Sequence, residues 1–276
     1  MNFVGNRLAD KALLFYIRKI PDHPFKIRLV NRINDILFKG GIQLKTPSSA
    51  CFRLSTREQT GHGIMIQDEY EPATIGLARH IMQKGGVFFD VGANIGLFSI
   101  PLSRIENVEV YAVEPSAHIF VQLLENIRLS EADRIVSINI GLSYHEGFGY
   151  LFNKHPLNLG TNKVVDHVET NSHLIRLCPL TDLLLFLKVK QIKLMKIDVE
   201  GYELNVLKGL FKGDDQIYPE NLIMEFNELI EETGHNQREG FEYMLALGYK
   251  PFNILGEPYQ FGEPLPESNL WFKYKE

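Results

Sequence analysis

Two amphipathic stretches open the chain. Leu13, Leu14, Tyr16 and Ile17 precede the break Pro21-Asp22-His23-Pro24, and Ile27, Val30, Ile33, Ile36 and Leu37 follow it at helical spacing. Gly40-Gly41 ends the second stretch. The period then changes to two. Cys51-Phe52-Arg53-Leu54 and Gly63-Ile64-Met65-Ile66-Gln67 alternate like a pair of strands, with Gly61 and Gly63 near their turn.

From Pro72 onward strand and helix patterns alternate. The run 87–91 is short, apolar and bounded by glycines, so it reads as a buried strand. A helix over 95–105, a strand over 108–113, a helix over 117–129 and a third strand over 135–140 follow. The segment 148–152 reads as an edge strand or hairpin arm. Next come a helix over 180–187 with Thr181 or Asp182 near its cap, a strand over 192–199 and a helix over 204–210. A strand over 221–226, a helix over 237–247 and closing strands near 250–254 and 270–274 complete the series. Such alternation predicts a doubly wound α/β fold, a mostly parallel sheet covered on both faces. Residues 1–50 read as a helical amino-terminal extension, and 51–276 as the α/β domain with a leading β-hairpin. There is no internal repeat.

Composition adds limits. The chain has 276 residues, 45% hydrophobic and 23% charged, the balance of an ordinary soluble domain. No apolar run approaches the roughly 18 residues of a membrane span, and the start lacks the order of a signal peptide, so a cytoplasmic protein is expected. Cys51 and Cys178 match no metal-ligand spacing, and reduced thiols fit better than a disulfide. The net charge of -5 divides unevenly: residues 1–50 carry nine Lys/Arg against three Asp/Glu, or +6, leaving -11 elsewhere. The acidic body excludes nucleic acid as a general partner, and the basic leader suits a solvated face or peripheral contact with an anionic membrane.

In a doubly wound sheet ligands bind beyond the carboxyl ends of the strands. The first strand ends in Asp90-Val91-Gly92-Ala93-Asn94-Ile95-Gly96. This is not the dinucleotide fingerprint, because the third glycine is missing and Asp90 would repel a pyrophosphate. A carboxylate there suits a ligand with an ammonium and a sulfonium, which is S-adenosylmethionine. Glu114, before Pro115 and roughly 20 residues past the glycine turn, can bind ribose hydroxyls in either nucleotide class. Gly141-Leu142-Ser143 is a bend where an adenine would lie, and Asn126 reads as structural. Lys196, Asp198 and Glu200 share one face of a central strand by periodicity, and unpaired charges there would be costly. Glu225 interrupts the next apolar run, so Lys196 and Glu225 are expected to pair and leave Asp198 and Glu200 facing the reaction.

These motifs in order resemble the FkbM family of methyltransferases. The matching residues are Tyr70-Glu71-Pro72, the stretch from Phe89 to Gly96, Val113-Glu114-Pro115, Asn126, Gly141-Leu142-Ser143, the stretch from Lys196 to Glu203, and 219–225. The resemblance covers roughly residues 60 to 230. It implies a class I methyltransferase fold and methyl transfer from S-adenosylmethionine, commonly to a hydroxyl of a sugar, glycan or natural product. It implies cofactor positions at Asp90, Gly92, Asn94 and Glu114, with Glu71 at the amino-acid end and Asp198 and Glu200 in the acidic motif beside the methyl group; Gly96, Pro115 and Ser143 are further cofactor candidates along the same edge.

A hydroxyl must lose its proton as it attacks, so a base within hydrogen-bond reach is required. Asp198 is the first candidate and Glu200 the second, with Lys196 and Glu225 completing the catalytic set. A divalent cation on Asp198, Glu200 and Glu225 is an alternative not favoured here, since no histidine flanks them and carboxylates alone hold Mg²⁺ loosely. His145 and His155 read as surface residues, and 158–162 as a loop able to hydrogen-bond a polyol. Two other functions compete: a nicotinamide-dependent oxidoreductase, and a catalytically silent cofactor-binding interaction protein.

Overall fold

The computed structural model describes residues 8–21, 23, 25–37, 41–46, 50–54, 64–65, 70–153, 162–165, 167–214, 216–226 and 237–275. Helices α1 (Leu8–Lys19) and α2 (Lys26–Leu37) form where the apolar spacing places them. The hairpin differs from expectation. β2 (Cys51–Leu54) pairs antiparallel with β1 (Ile42–Lys45), Leu44 facing Phe52, while Ile64 and Met65 are helical and buried. Both candidate partners for β2 carry alternating apolar residues, and a two-residue period does not say which of them meets it. The leading hairpin therefore straddles residue 50.

The chain continues through α3 (Pro72–Met82), β3 (Gly86–Val91), α4 (Ser99–Ser103), β4 (Val108–Val113), α5 (Ala117–Leu129) and β5 (Ile135–Ile138). Four strands follow: β6 (Gly141–Ser143), β7 (Gly147–Asn153), β8 (Asn162–Val165) and β9 (His173–Pro179). Then come α6 (Leu180–Leu187), β10 (Leu194–Ile197), α7 (Glu203–Leu210), β11 (Asn221–Glu225), α8 (Gln237–Ala246), β12 (Tyr249–Asn253) and β13 (Asn269–Tyr274). The main sheet has the order β12-β13-β11-β10-β3-β4-β5. β13 runs antiparallel to both of its neighbours, whereas the β11-β10-β3-β4-β5 pairings are parallel. This is the doubly wound arrangement expected, with its antiparallel carboxyl-terminal strand.

Alternate residues of each central strand enter opposite faces. Phe88, Val110, Leu194 and Ile223 join one apolar cluster, and Phe89, Tyr111, Met195 and Leu222 the other. The first cluster also contains Leu13, Leu14, Ile17, Val30, Ile42 and Phe52, so α1, α2 and the hairpin cover that face of the sheet. Asn126 fastens the hairpin: its Oδ1 accepts from Arg53 N at 2.8 Å, and its Nδ2 donates to Ile95 O at 3.0 Å. Its structural reading matches these bonds.

Three strands of the second sheet were not foreseen. Gly141-Leu142-Ser143 is strand β6, paired parallel with β9, rather than a bend. The expected strand over 148–152 is β7, flanked by β8 and β9.

Candidate active site at the carboxyl edge of the sheet

Gly92 must be glycine. Its φ is +82°, and a Cβ would stand 1.8 Å from the carbonyl oxygen of Asp198. The turn after β3 is thus wedged between the ends of β4 and β10, with Gly92 N–H donating to Val113 O at 3.0 Å. Asn94 is left-handed at φ 51°, and its backbone N–H donates to Glu114 Oε2 at 3.0 Å. The other oxygen of Glu114 accepts from Ser116 N at 2.8 Å. Burial nevertheless pushes the Glu114 carboxyl up to about 7.

Asp90 lies inside the sheet edge, 2% exposed, accepting from Ser99 Oγ at 2.5 Å. Burial raises it to about 6 against the opposing pull of Lys196 and Ser99. Gly96 has a packing role, since a Cβ would press on Ile100 at 2.8 Å and Leu123 at 2.9 Å. Pro115 contributes its carbonyl, which accepts from Asn139 Nδ2 at 3.0 Å. Ser143 is buried, with its hydroxyl 3.1 Å from the Tyr202 hydroxyl.

The pairing of Lys196 corrects the sequence reading. In the parallel register Lys196 stands opposite Ile223, not Glu225, and its Nζ donates to Asp198 Oδ2 at 2.5 Å. The ammonium also lies 4.6 Å from the centre of the Phe98 ring. Burial pulls its pKa down, but Asp198, Glu71 and Asp90 outweigh that and hold it above the ordinary lysine value. Strand β10 stops at Ile197, so the expected alternation through Glu200 is broken: Glu200 turns left-handed at φ 54°. Glu203 secures this turn by accepting from Val199 N at 3.2 Å and Gly201 N at 3.0 Å.

Glu225 has no such support. It faces Asn269 across the β11–β13 ladder, and both Glu225 Oε2 and Asn269 Oδ1 are buried without a hydrogen-bond partner. Burial, then Asp198 and Glu200, push the Glu225 carboxyl up to about 10. Glu200 rises to about 7 for the same reasons, burial first and the Asp198 charge second, with Lys163 of β8 pulling the other way.

Glu71 reaches the same cluster from the left-handed cap of α3, at φ 40°. It accepts from Asn269 Nδ2 at 2.9 Å, and burial raises its pKa. Tyr70 packs edge-to-face on Phe98, and burial followed by the neighbouring Glu71 and Asp198 charges raises its hydroxyl too.

Sequence reasoning missed Asn269 and gave no role to Tyr70 or Glu203. The spacing of Glu203 behind Val199 and Gly201 was a visible turn signal; Asn269 offered none. His145 holds its ring nitrogen 3.2 Å from its neighbour Glu146 O, away from these contacts. His155 and residues 158–161 lie outside the described residues.

The edge offers mostly acceptors. Glu71, Asp90, Asp198, Glu200 and Glu225 gather near the buried Lys196, Glu114 lies in the field of Asp90 and Asp198, and two acceptor oxygens lack donors. Oxygens of Asp198, Glu200 and Glu225 lie within 4.8 Å of one another, a spacing a metal ion could bridge. The donor set suits a ligand bearing positive charge and hydroxyls, not a phosphate.

Sheet order and acidic carboxyl edge together define a class I, Rossmann-like methyltransferase fold. Residues 90–251 match the methyltransferase FkbM domain, and the chain belongs to that family. Over 129 residues it is 33% identical to the hexuronic acid methyltransferase AglP of Haloferax volcanii, covering 46% of this chain and 51% of the relative. It is 30% identical over 168 residues to the AMB antimetabolite synthetase AmbE of Pseudomonas aeruginosa, covering 47% of this chain and 8% of that protein. The chain thus spans about half of the first relative's length and a small part of the second's. Among solved structures, a precorrin-6y C5,15-methyltransferase from Geobacter metallireducens superposes with a TM-score of 0.45 at 12% identity, over 82% of this chain and 94% of its own.

Proposed function

We propose that this chain is an S-adenosylmethionine-dependent methyltransferase acting on a hydroxyl oxygen of a sugar, glycan or natural product. The observation that carries the reading is the carboxylate cluster at the sheet edge, with acceptor oxygens of Glu225 and Asn269 left unpaired. Those acceptors fit the ammonium of a methionine moiety, and Glu114 keeps lone pairs for ribose hydroxyls beyond its two backbone bonds. The hexuronic acid named for one relative supports a sugar acceptor.

When bound, S-adenosylmethionine supplies an electrophilic methyl group on a sulfonium. Everything else falls to the chain. Asn94 and Glu114 hold the nucleoside side, and Asp90 and Glu71 with Asn269 the charged amino-acid side. Lys196 fixes the Asp198 carboxylate, which would face the methyl end of the bound cofactor and help orient it. Glu200 takes the acceptor proton. Its carboxyl, raised to about 7, is matched to neutral pH, whereas one oxygen of Asp198 is already committed to Lys196. The order of the two base candidates is therefore reversed from the sequence reading. Lys196 already supplies positive charge beside Asp198, and we propose that transfer needs no divalent cation.

Calorimetric titration with S-adenosylmethionine, S-adenosylhomocysteine and NAD tests the cofactor. Micromolar binding of the first two without NAD is expected; NAD binding alone would make the protein an oxidoreductase, and no binding a silent interaction module. Glu200→Gln should lower turnover about 10²-fold or more while changing cofactor affinity less than about threefold. Unchanged turnover would remove Glu200 as the base.

A further inference from the structure

We infer that the outward face of α1 and α2 docks on an anionic lipid bilayer surface. The inward residues of these helices, Leu13, Leu14, Ile17 and Val30, belong to the core, yet their outward residues are not simply polar. On α2 and the residue before it, Phe25, Leu29, Arg32 and Ile36 follow one another at helical spacing, with Arg28 alongside. Phe25 is 66% exposed and Ile36 64%. On α1 the exposed stripe is Lys11, Phe15 and Lys19. Single exposed apolar side chains are ordinary on a protein surface, but here several share one side of adjacent helices and alternate with basic residues.

Apolar residues interleaved with arginine and lysine match the boundary between lipid headgroups and acyl chains, where the rings and branched chains insert and the cations meet phosphate. Charge selects this occupant over a second copy of the chain. Residues 1–50 carry +6 and the remainder -11, so two such faces repel each other, while an anionic surface attracts the leader and repels the body. That asymmetry sets an orientation with the helices against the bilayer. Among the described residues no helix is long and apolar enough to cross it.

The test is co-sedimentation of the full chain with extruded vesicles of phosphatidylcholine alone or mixed with phosphatidylglycerol at about seven to three. Binding to the mixed vesicles alone, weakening as salt rises, is expected. Arg28→Glu with Arg32→Glu should weaken it at least ~10-fold, and Phe25→Ser with Ile36→Ser should weaken it too, all with cofactor titration unchanged. Equal binding to both vesicle types, or to neither, would overturn the inference without any variant being made. So would a dimer in sedimentation equilibrium that Phe25→Ser with Ile36→Ser dissolves, which would assign the face to a second copy.

Discussion

The turn after β10 and the junction of β11 with β13 each bury a glutamate at the same edge of the sheet, and they treat it in opposite ways. Glu203 accepts two backbone N–H groups and closes its own turn. Glu225 leaves an oxygen buried with no donor, beside an equally unpaired oxygen on Asn269. A satisfied buried carboxylate shapes backbone; an unsatisfied one stores a binding demand that a ligand or an ordered water meets. The first belongs to the scaffold, and the proposed function assigns the second to ligand binding.

The largest effect that sharpens this contrast is on stability. Glu203→Ala should cost about 2–4 kcal/mol, because it strips two buried N–H groups of their acceptor. Thermal unfolding without ligand measures it, and a loss below about 1 kcal/mol would mean the turn holds itself. Next in size is a pH dependence. Burial lifts Asp90 to about 6 and Glu114, Glu200 and Glu203 to about 7, all above their unfolded values. Between those unfolded values and about pH 7 the folded protein binds more protons than the unfolded chain, so stability must fall as pH rises through that window. The ligand-free protein should melt roughly 5 °C lower at pH 8 than at pH 5. A melting temperature that climbs over this range would show that burial does not raise these carboxyls above their unfolded values.

Smallest on stability is Glu225→Gln. Burial and then the Asp198 and Glu200 charges favour its neutral form, so the near-isostere should shift stability by less than about 0.5 kcal/mol. S-adenosylmethionine should bind roughly tenfold more weakly. If this variant unfolds as readily as Glu203→Ala, the distinction between the two glutamates collapses.

Much of the main sheet was legible because its strands are buried on both faces. The helix over 117–129 matches at both ends, where Pro115 and the Ser116 cap mark its start. The strand over 192–199 was read too long, since Asp198 and Glu200 continue its alternation in sequence while the backbone has already turned. The Lys196–Asp198 pair and the β1–β2 hairpin depend on register, which an apolar pattern leaves open. Other contacts lay too far apart to see: Glu267 accepts from Ala73 N at 3.1 Å and Thr74 N at 3.0 Å, capping α3 across almost the whole chain. The second sheet escaped because its strands are short and half-exposed, and their pairing is set by one another.

The position of β13 has a consequence for the order of folding. Residues 269–274 leave the ribosome after every other strand of the main sheet, yet they lie between β11 and β12 rather than at an edge. Until they emerge, β11 and β12 cannot be joined, Glu225 has no neighbour opposite it, and Glu71 lacks Asn269. The nascent chain can assemble β3, β4, β5 and β10 as it is made, but the edge around Glu225 closes only once residues 269–274 have been made. Chains that stop short of residue 269 thereby lack one side of the proposed site by topology alone.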